Sequence, residues 1–305
     1  MRAATPLDPA AAGRTRVAVG ILLGMAAFAC FACLDATAKL LNQGYPPLQV
    51  VWMRYVGHVL VALLMAGPTH LIHVWRSAAP VQQLLRGTFL FTGTACNFIA
   101  LKYLQLAVTG ALNFTIPLWI AALSVPLLGE KVGIRRWLAI LVGFAGVLLV
   151  IRPGTGVVHW AMFLSLATAL CAALYTLMTR KLAGRDGPAT SQIYVAMVGA
   201  IMATPLLAFG WRTPEGADWL LVLLPGLFGG VGHAFLVAAH DRAEASIIAP
   251  FWYSQIIWMV LFGLVLFGDV PDIWTLAGAA VVLASGLYVW YRERQLGKRA
   301  ERVSP

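Results

Sequence analysis

Runs of about twenty apolar residues recur along this chain from Val17 to Tyr291, and each is long enough to cross the ~30 Å hydrocarbon layer of a bilayer as a helix. In lipid a backbone amide must find its partner inside its own segment, so runs of this kind are helices. A membrane barrel would instead alternate polar and apolar residues, and these runs do not. A soluble chain of 305 residues would need far more than 11% charged residues to cover its surface. Ten spans are expected, near 17–41, 47–66, 83–102, 105–127, 134–151, 158–181, 189–210, 218–239, 245–267 and 272–291. The predicted fold class is therefore an all-α polytopic membrane protein. The connections are too short for a second, soluble domain. Residues 1–16 read as a short disordered cytoplasmic tail; they resemble a signal n-region, but the run behind them is too long for a cleaved segment. Residues 292–305 read as a basic cytoplasmic tail.

The net charge of +10 raises the question of nucleic acid, and its placement answers it. With the N-terminus in the cytoplasm, the inside receives Arg2, Arg14, Arg16, Arg76, Arg86, Lys131, Arg135, Arg136, Arg180, Lys181, Arg185, Arg242, Arg292, Arg294, Lys298, Arg299 and Arg302. The outside receives Lys39, Lys102, Arg152 and Arg212, and Arg54 lies within a span. Basic residues favour the cytoplasmic side, so the charge orients the chain with both termini inside. Its partner is the bilayer, not nucleic acid.

Two junctions read alike. "PLLGEKVGIRRW" (Pro126 to Trp137) and "LVLFGDVPDIWT" (Leu264 to Thr275) both run apolar, apolar, Gly, acid, and then a new hydrophobic segment. They are related by a shift of 139 residues, which also sets Gly87 on Gly226, Gly93 on Gly232, Trp119 on Trp258 and Gly129 on Gly268. Earlier in the copies "ATAKLL" (Ala36 to Leu41) meets "LMTRKL" (Leu177 to Leu182). The chain thus reads as two five-span units, 17–151 and 158–291. Five is odd, so the second unit lies upside down relative to the first, an inverted repeat of the kind found in secondary transporters.

"ALNFTIPLWIAALSVPLLGEKVGIRRWLAILVGFAGVLLV" and "ASIIAPFWYSQIIWMVLFGLVLFGDVPDIWTLAGAAVVLASGLYV" resemble the EamA-type half of the drug/metabolite transporter superfamily. "PPLQVVWMR" also resembles that family, whose second helix often carries an arginine. The resemblance implies ten helices, inverted repeats and export of amino acids or related metabolites across the bacterial inner membrane. It implies no cofactor; the oligomeric state stays open, a monomer among the options. Asp269 stands where the family more often has glutamate. Glu130 and Asp269 are expected to cap the helices that follow them.

Charge inside a span marks function or a buried partner. Asp35 and Arg54 are the clear intramembrane acid and base, at similar depth on consecutive spans. They form an ion pair, structural or gating, or Arg54 holds a substrate carboxylate with its planar fork. His58 follows Arg54 by four residues on the same face and reads as cavity lining or a proton relay; His233 is similar. Asn97, Asn113, Tyr175, Ser254 and Gln255 add uncharged polar groups. Trp119, Trp252 and Trp258 lie too deep for an interfacial belt and read as cavity walls or packing. Cys30 and Cys33 form a C-x-x-C without the further ligands a metal site needs. Pro117, Pro126, Pro205, Pro225 and Pro250 free carbonyls one turn back and kink their spans.

No intramembrane protease motif accompanies these residues: "LASG" has Leu283 where a serine protease motif needs glycine, and no H-E-x-x-H occurs. The reading is a transporter without catalytic or metal-binding residues. Drug export and sugar-phosphate exchange are its alternatives within the superfamily. Single cysteines in the 152–158 loop are expected to react with an impermeant thiol reagent from outside, and those in the 181–188 loop only from the cytoplasm; the reverse pattern inverts the topology.

Overall fold

The computed structural model describes residues 9–70, 75–129, 133–154, 158–182, 184–243 and 245–301. Thirteen α-helices are seen among them: α1 (Pro9–Leu41), α2 (Pro47–His70), α3 (Pro80–Tyr103), α4 (Leu106–Asn113), α5 (Ile116–Leu128), α6 (Ile134–Ile151), α7 (Ala161–Leu182), α8 (Pro188–Ala203), α9 (Asp218–Leu221), α10 (Leu224–His240), α11 (Ala245–Ile248), α12 (Gln255–Phe267) and α13 (Ile273–Glu301). Two 3-10 turns, Thr204–Phe209 and Ala249–Ser254, follow α8 and α11. Eight helical segments among the described residues are long and apolar enough to cross a membrane, and Trp137–Ile151 and Phe251–Phe267 are shorter apolar helices. The protein is a multi-pass, all-helical membrane protein.

Proline accounts for most of the breaks. Pro117 stands in the first two positions of α5, and the amide of Thr115 turns to Leu112 O instead of Ala111 O, which splits the fourth run into α4 and α5. Pro250 does the same in the ninth run, Pro205 opens the turn after α8, and Pro225 opens α10. Pro126 sits inside a continuing helix. Residues 9–16, expected as disordered tail, are the first turns of α1, and residues 292–301 continue α13. Good helix formers such as the Ala10–Ala12 run let the helix continue past its apolar part.

The junction glycines share one geometry. Gly129 ends α5 with φ 70°, and Gly268 ends α12 with φ 66°. Each donates its amide four residues back, to Val125 O and Leu264 O at 3.1 Å. Only glycine enters this left-handed region without a Cβ penalty. Asp269, after Gly268, does not cap the next helix: Asp272 caps α13 by accepting the Thr275 N–H at 2.7 Å, while Asp269 is ion-paired with Lys39. The reason is position, since Asp269 lies a full turn before the start of α13. Glu130 lies outside the described residues.

Packing joins helices in corresponding pairs. α1 lies along α10 and α3 along α7; α2 packs on α10 and α3 on α8; α1 packs on α12 and α7 on α5. α2 packs on α8, α4 on α12, and α6 on α13. Leucines such as Leu138, Leu141, Leu148 and Leu276 face outward, while Asp35, Gln49, Arg54 and His58 are buried. That inside-out arrangement is what a lipid solvent favours.

α2 and α10 approach most closely at Gly57 and Gly226. A Cβ on Gly57 would stand 2.9 Å from Gly226 Cα, so only glycine fits. Small residues at such crossings let backbones touch and gain dispersion contacts. Gly226→Val is expected to cost about 1–3 kcal/mol through overpacking, read as a lowered unfolding temperature in detergent; an unchanged midpoint would mean the crossing can widen freely.

Candidate functional site

The α2–α10 crossing sets up a polar centre. Arg54 lies one turn before Gly57, and its guanidinium rests where Gly229 of α10 has no side chain; a Cβ there would stand 3.7 Å from Arg54 Nε. Arg54 is 4% exposed, and neither its Nε nor its Nη1 has a hydrogen-bond partner. The guanidinium carbon lies 4.1 Å from the centroid of the Tyr55 ring. One turn further along α2, His58 is buried with Nδ1 unpartnered. Its ring is parallel to that of His233, centroids 5.4 Å apart, and Phe31 of α1 meets His233 edge-on at 5.1 Å.

Asp35 is also buried, but it does not form the expected ion pair with Arg54. Its Oδ1 accepts from Asn97 Nδ2 at 2.9 Å, and Asn97 Oδ1 accepts from Asn113 Nδ2 at 3.3 Å. Only the Asn97 amide, from α3, reaches the carboxylate, with Asn113 of α4 behind it, and Arg54 on α2 keeps two of its nitrogens unspent. The chain of three side chains ends at the break between α4 and α5, where Asn113 Oδ1 is unpartnered.

The aromatic residues divide. Trp252 packs on Phe28 of α1 with centroids 5.4 Å apart, and Tyr253 meets Phe114 at the α4–α5 break at 5.2 Å. Trp119 packs edge-on against Phe144, and its indole N–H has no partner. Trp252 and Trp119 border one apolar cluster with Ile116, Ala169 and Ala173. Trp258 belongs elsewhere, stacked on Phe262 and bordering the cluster of α1–α3. Ser254 Oγ is unpartnered at the second break, and Gln255 begins α12. Tyr175 lies under Arg86, 5.6 Å from the guanidinium carbon. Among the described residues no three His, Cys, Asp or Glu side chains come together as metal ligands.

Two polar latches were not foreseen. Arg86, assigned to the cytoplasmic boundary, is 4% exposed and donates to Ser191 O at 2.6 Å. Beside it Asp186 accepts from Ser77 Oγ at 2.6 Å, the Ala78 N–H at 2.8 Å and Gln83 Nε2 at 2.7 Å. At the other end of the bundle Gln49 exchanges two hydrogen bonds with the backbone of Arg212, at 2.6 and 2.9 Å, and Tyr45 donates to Asp218. The spacing of Gln83 and Arg86, three apart on one helical face, was the available signal.

Partial burial pushes the Asp186 carboxyl up, but the hydrogen bonds from Ser77, Gln83 and Ala78 and the charge of Arg86 outweigh it and hold the group below its ordinary value. A depressed folded value gives stability that is present above the ordinary carboxylate range and lost as pH falls through the folded value. The unfolding temperature of wild type is thus expected to fall more steeply on acidification than that of Asp186→Ala; parallel curves would remove Asp186 from the acid response.

The EamA-like transporter family matches residues 18–152 and again residues 159–291. The chain is 24% identical over 265 residues to an S-adenosylmethionine uptake transporter of Rickettsia felis, covering 87% of this chain and 90% of that one. It is 28% identical over 289 residues to a riboflavin transporter of Vibrio cholerae, covering 93% and 97%. It is 26% identical over 272 residues to a pseudopaline exporter of Pseudomonas aeruginosa, covering 87% and 94%. A crystal structure superimposes with a TM-score of 0.65 at 20% identity, covering 91% of this chain and 98% of the other, which is a likeness of fold. With both halves matched, this chain belongs to the EamA-like transporter family of the drug/metabolite transporter superfamily.

Proposed function

We propose that the chain is a secondary transporter of the bacterial plasma membrane that carries small metabolites with a carboxylate, amino acids or their derivatives, by alternating access. It crosses the membrane ten times as two inverted five-helix units, 17–151 and 158–291, with both termini cytoplasmic. Two findings support the units. The family matches the chain twice, and the helix pairs are preserved when the spans of one unit are exchanged for those of the other, α1 on α10 answering to α7 on α3. The two shorter apolar helices are then the fifth and ninth crossings.

The observation that carries the substrate is Arg54. Buried guanidinium nitrogens left without partners, as Nε and Nη1 are, cost several kcal/mol, and a carboxylate docked on the guanidinium removes that cost. Asp35, with Asn97 on one oxygen only, is the acceptor for an ammonium group. Phe28, Trp252 and Trp119 offer an apolar wall for the rest of the molecule, and His58 and His233 line the space beside Arg54. S-adenosylmethionine, named for relatives of this chain, is an amino-acid derivative with both charged groups. The direction of flux is export by resemblance, and the relatives' names include both an uptake transporter and an exporter.

A second reading is a neutral heteroaromatic substrate. It is favoured by the riboflavin transporters among the relatives and by the unpartnered indole N–H of Trp119.

Proteoliposomes loaded with labelled methionine, S-adenosylmethionine or riboflavin separate the two. Flux of the first two is expected, reduced about tenfold or more in Arg54→Ala, the worth of a charged hydrogen-bonded contact. Arg54→Lys is also impaired, because an ammonium lacks the two-point contact. A decarboxylated analogue should lose most of its affinity for wild type and little for Arg54→Ala. Equal losses in both proteins would exclude Arg54 as carboxylate partner, and flux of riboflavin alone would favour the second reading.

A further inference from the structure

Lys39 stands in the last turn of α1, one turn beyond Asp35 and on the same helical face. Its ammonium lies 3.0 Å from Asp269 Oδ2, in the turn between α12 and α13. It also donates to the carbonyl of Leu104, between α3 and α4, at 2.7 Å. The Phe267 ring, at the end of α12, is 5.1 Å away. A single cation therefore ties together the ends of α1, α3 and α12. These helices carry or pack against the ones that hold Asp35, Asn97 and Asn113, so the tie lies at one end of the bundle beyond the polar centre.

Three features mark the tie as more than a surface ion pair. The side chains are only 15% and 23% exposed, so water screens them less than an open pair. Asp269 is held in place, its amide donating to Gly263 O at 2.9 Å behind the left-handed Gly268. The sequence also repeats the charges: the 139-residue shift sets Glu130 against Asp269, and the "LMTRKL" match sets Arg180 against Lys39. The same two signs thus occur at corresponding places of both units.

We propose that the Lys39–Asp269 pair is the closure of the substrate route at this end of the protein, and that the route opens when the turn after α12 parts from α1. Lys39 would otherwise have to be solvated or lose its charge as the helix ends separate, so the pair sets the balance between closed and open. Because Lys39 keeps the Leu104 carbonyl as a partner, losing Asp269 does not strand it, and the pair is strong enough to bias the equilibrium without preventing it. The role in transport rests on the proposed site at Arg54 and Asp35.

The test measures opening directly and needs no substrate, so its failure is separate from failure of the transport reading. Spin labels are placed at Gln43→Cys and Val270→Cys, both exposed at this end, in full-length protein whose Cys30, Cys33, Cys96 and Cys171 are replaced by serine. Distances are read in liposomes by pulsed electron resonance. The unsubstituted pair should give mainly the short, closed distance. Asp269→Asn and Lys39→Met should each raise the ratio of long to short distances about fivefold, the change that a pair worth ~1 kcal/mol produces. Lys39→Arg should keep the short distance, and the charge-reversed protein, Lys39→Glu with Asp269→Lys, should return toward it. A distribution unmoved by both neutralising substitutions overturns the proposal. So does one lengthened equally in the charge-reversed protein, since the sign of the partner would then be irrelevant.

Discussion

The backbone contact between Gly57 and Gly226 is the constraint on which the polar centre depends. With no side chain at either residue, α2 and α10 cross closely enough to enclose Arg54 beside Gly229 and to stack His58 on His233. A wider crossing would admit lipid tails or solvent around the guanidinium. In lipid the hydrophobic effect does not hold helices together, so such crossings rely on close packing. The contact therefore does two things at once: it contributes adhesion, and it creates a low-dielectric space around a charge that cannot be neutralised.

The centre is built asymmetrically. The acidic side is already satisfied in part, with Asp35 bonded to Asn97 and Asn97 to Asn113. The basic side is open, with two buried nitrogens of Arg54 unspent. An arrangement that paired the two charges would be more stable empty and less able to discriminate a ligand. On the reading proposed above, keeping them apart lets a ligand gain affinity by relieving the protein's own desolvation cost. The helix breaks add to this, because Asn113 and Ser254 sit where the regular backbone ladder lapses and their unpartnered atoms remain available.

Much of this was legible in the chain. Apolar run length fixes the kind of element, because lipid permits few alternatives. The Gly129 and Gly268 junctions announced two helix ends of the same geometry, since the left-handed region all but demands glycine there. Proline marked where the spans depart from a straight helix, though as kinks rather than as the breaks seen at Pro117 and Pro250. Arg54 and His58 shared a face by simple helical spacing, and their burial followed from the cost of exposing them to lipid. The Asp35–Arg54 pair failed for a reason that spacing cannot reveal. Equal depth on neighbouring helices says nothing about azimuth, and the Asn97 amide of α3 occupies one carboxylate oxygen. Asp269 was misassigned in the same way: a carboxylate near a helix start can serve the dipole, but a lysine a long way off in sequence is the stronger partner when packing delivers it.

The sequence by itself determined the all-helical membrane class, the repeated unit and the residue types that lie at depth, because those depend on composition and local spacing under a solvent that enforces both. Only the tertiary structure decided which polar groups meet. Gln83 and Arg86 became a buried latch with Asp186 and Ser191, Tyr175 packed under Arg86, and Trp119 and Trp258 parted into separate clusters. Hydrogen bonds and ion pairs act over a few ångströms, so they are settled by helix rotation and crossing distance, and these are properties of the packed bundle rather than of any one span.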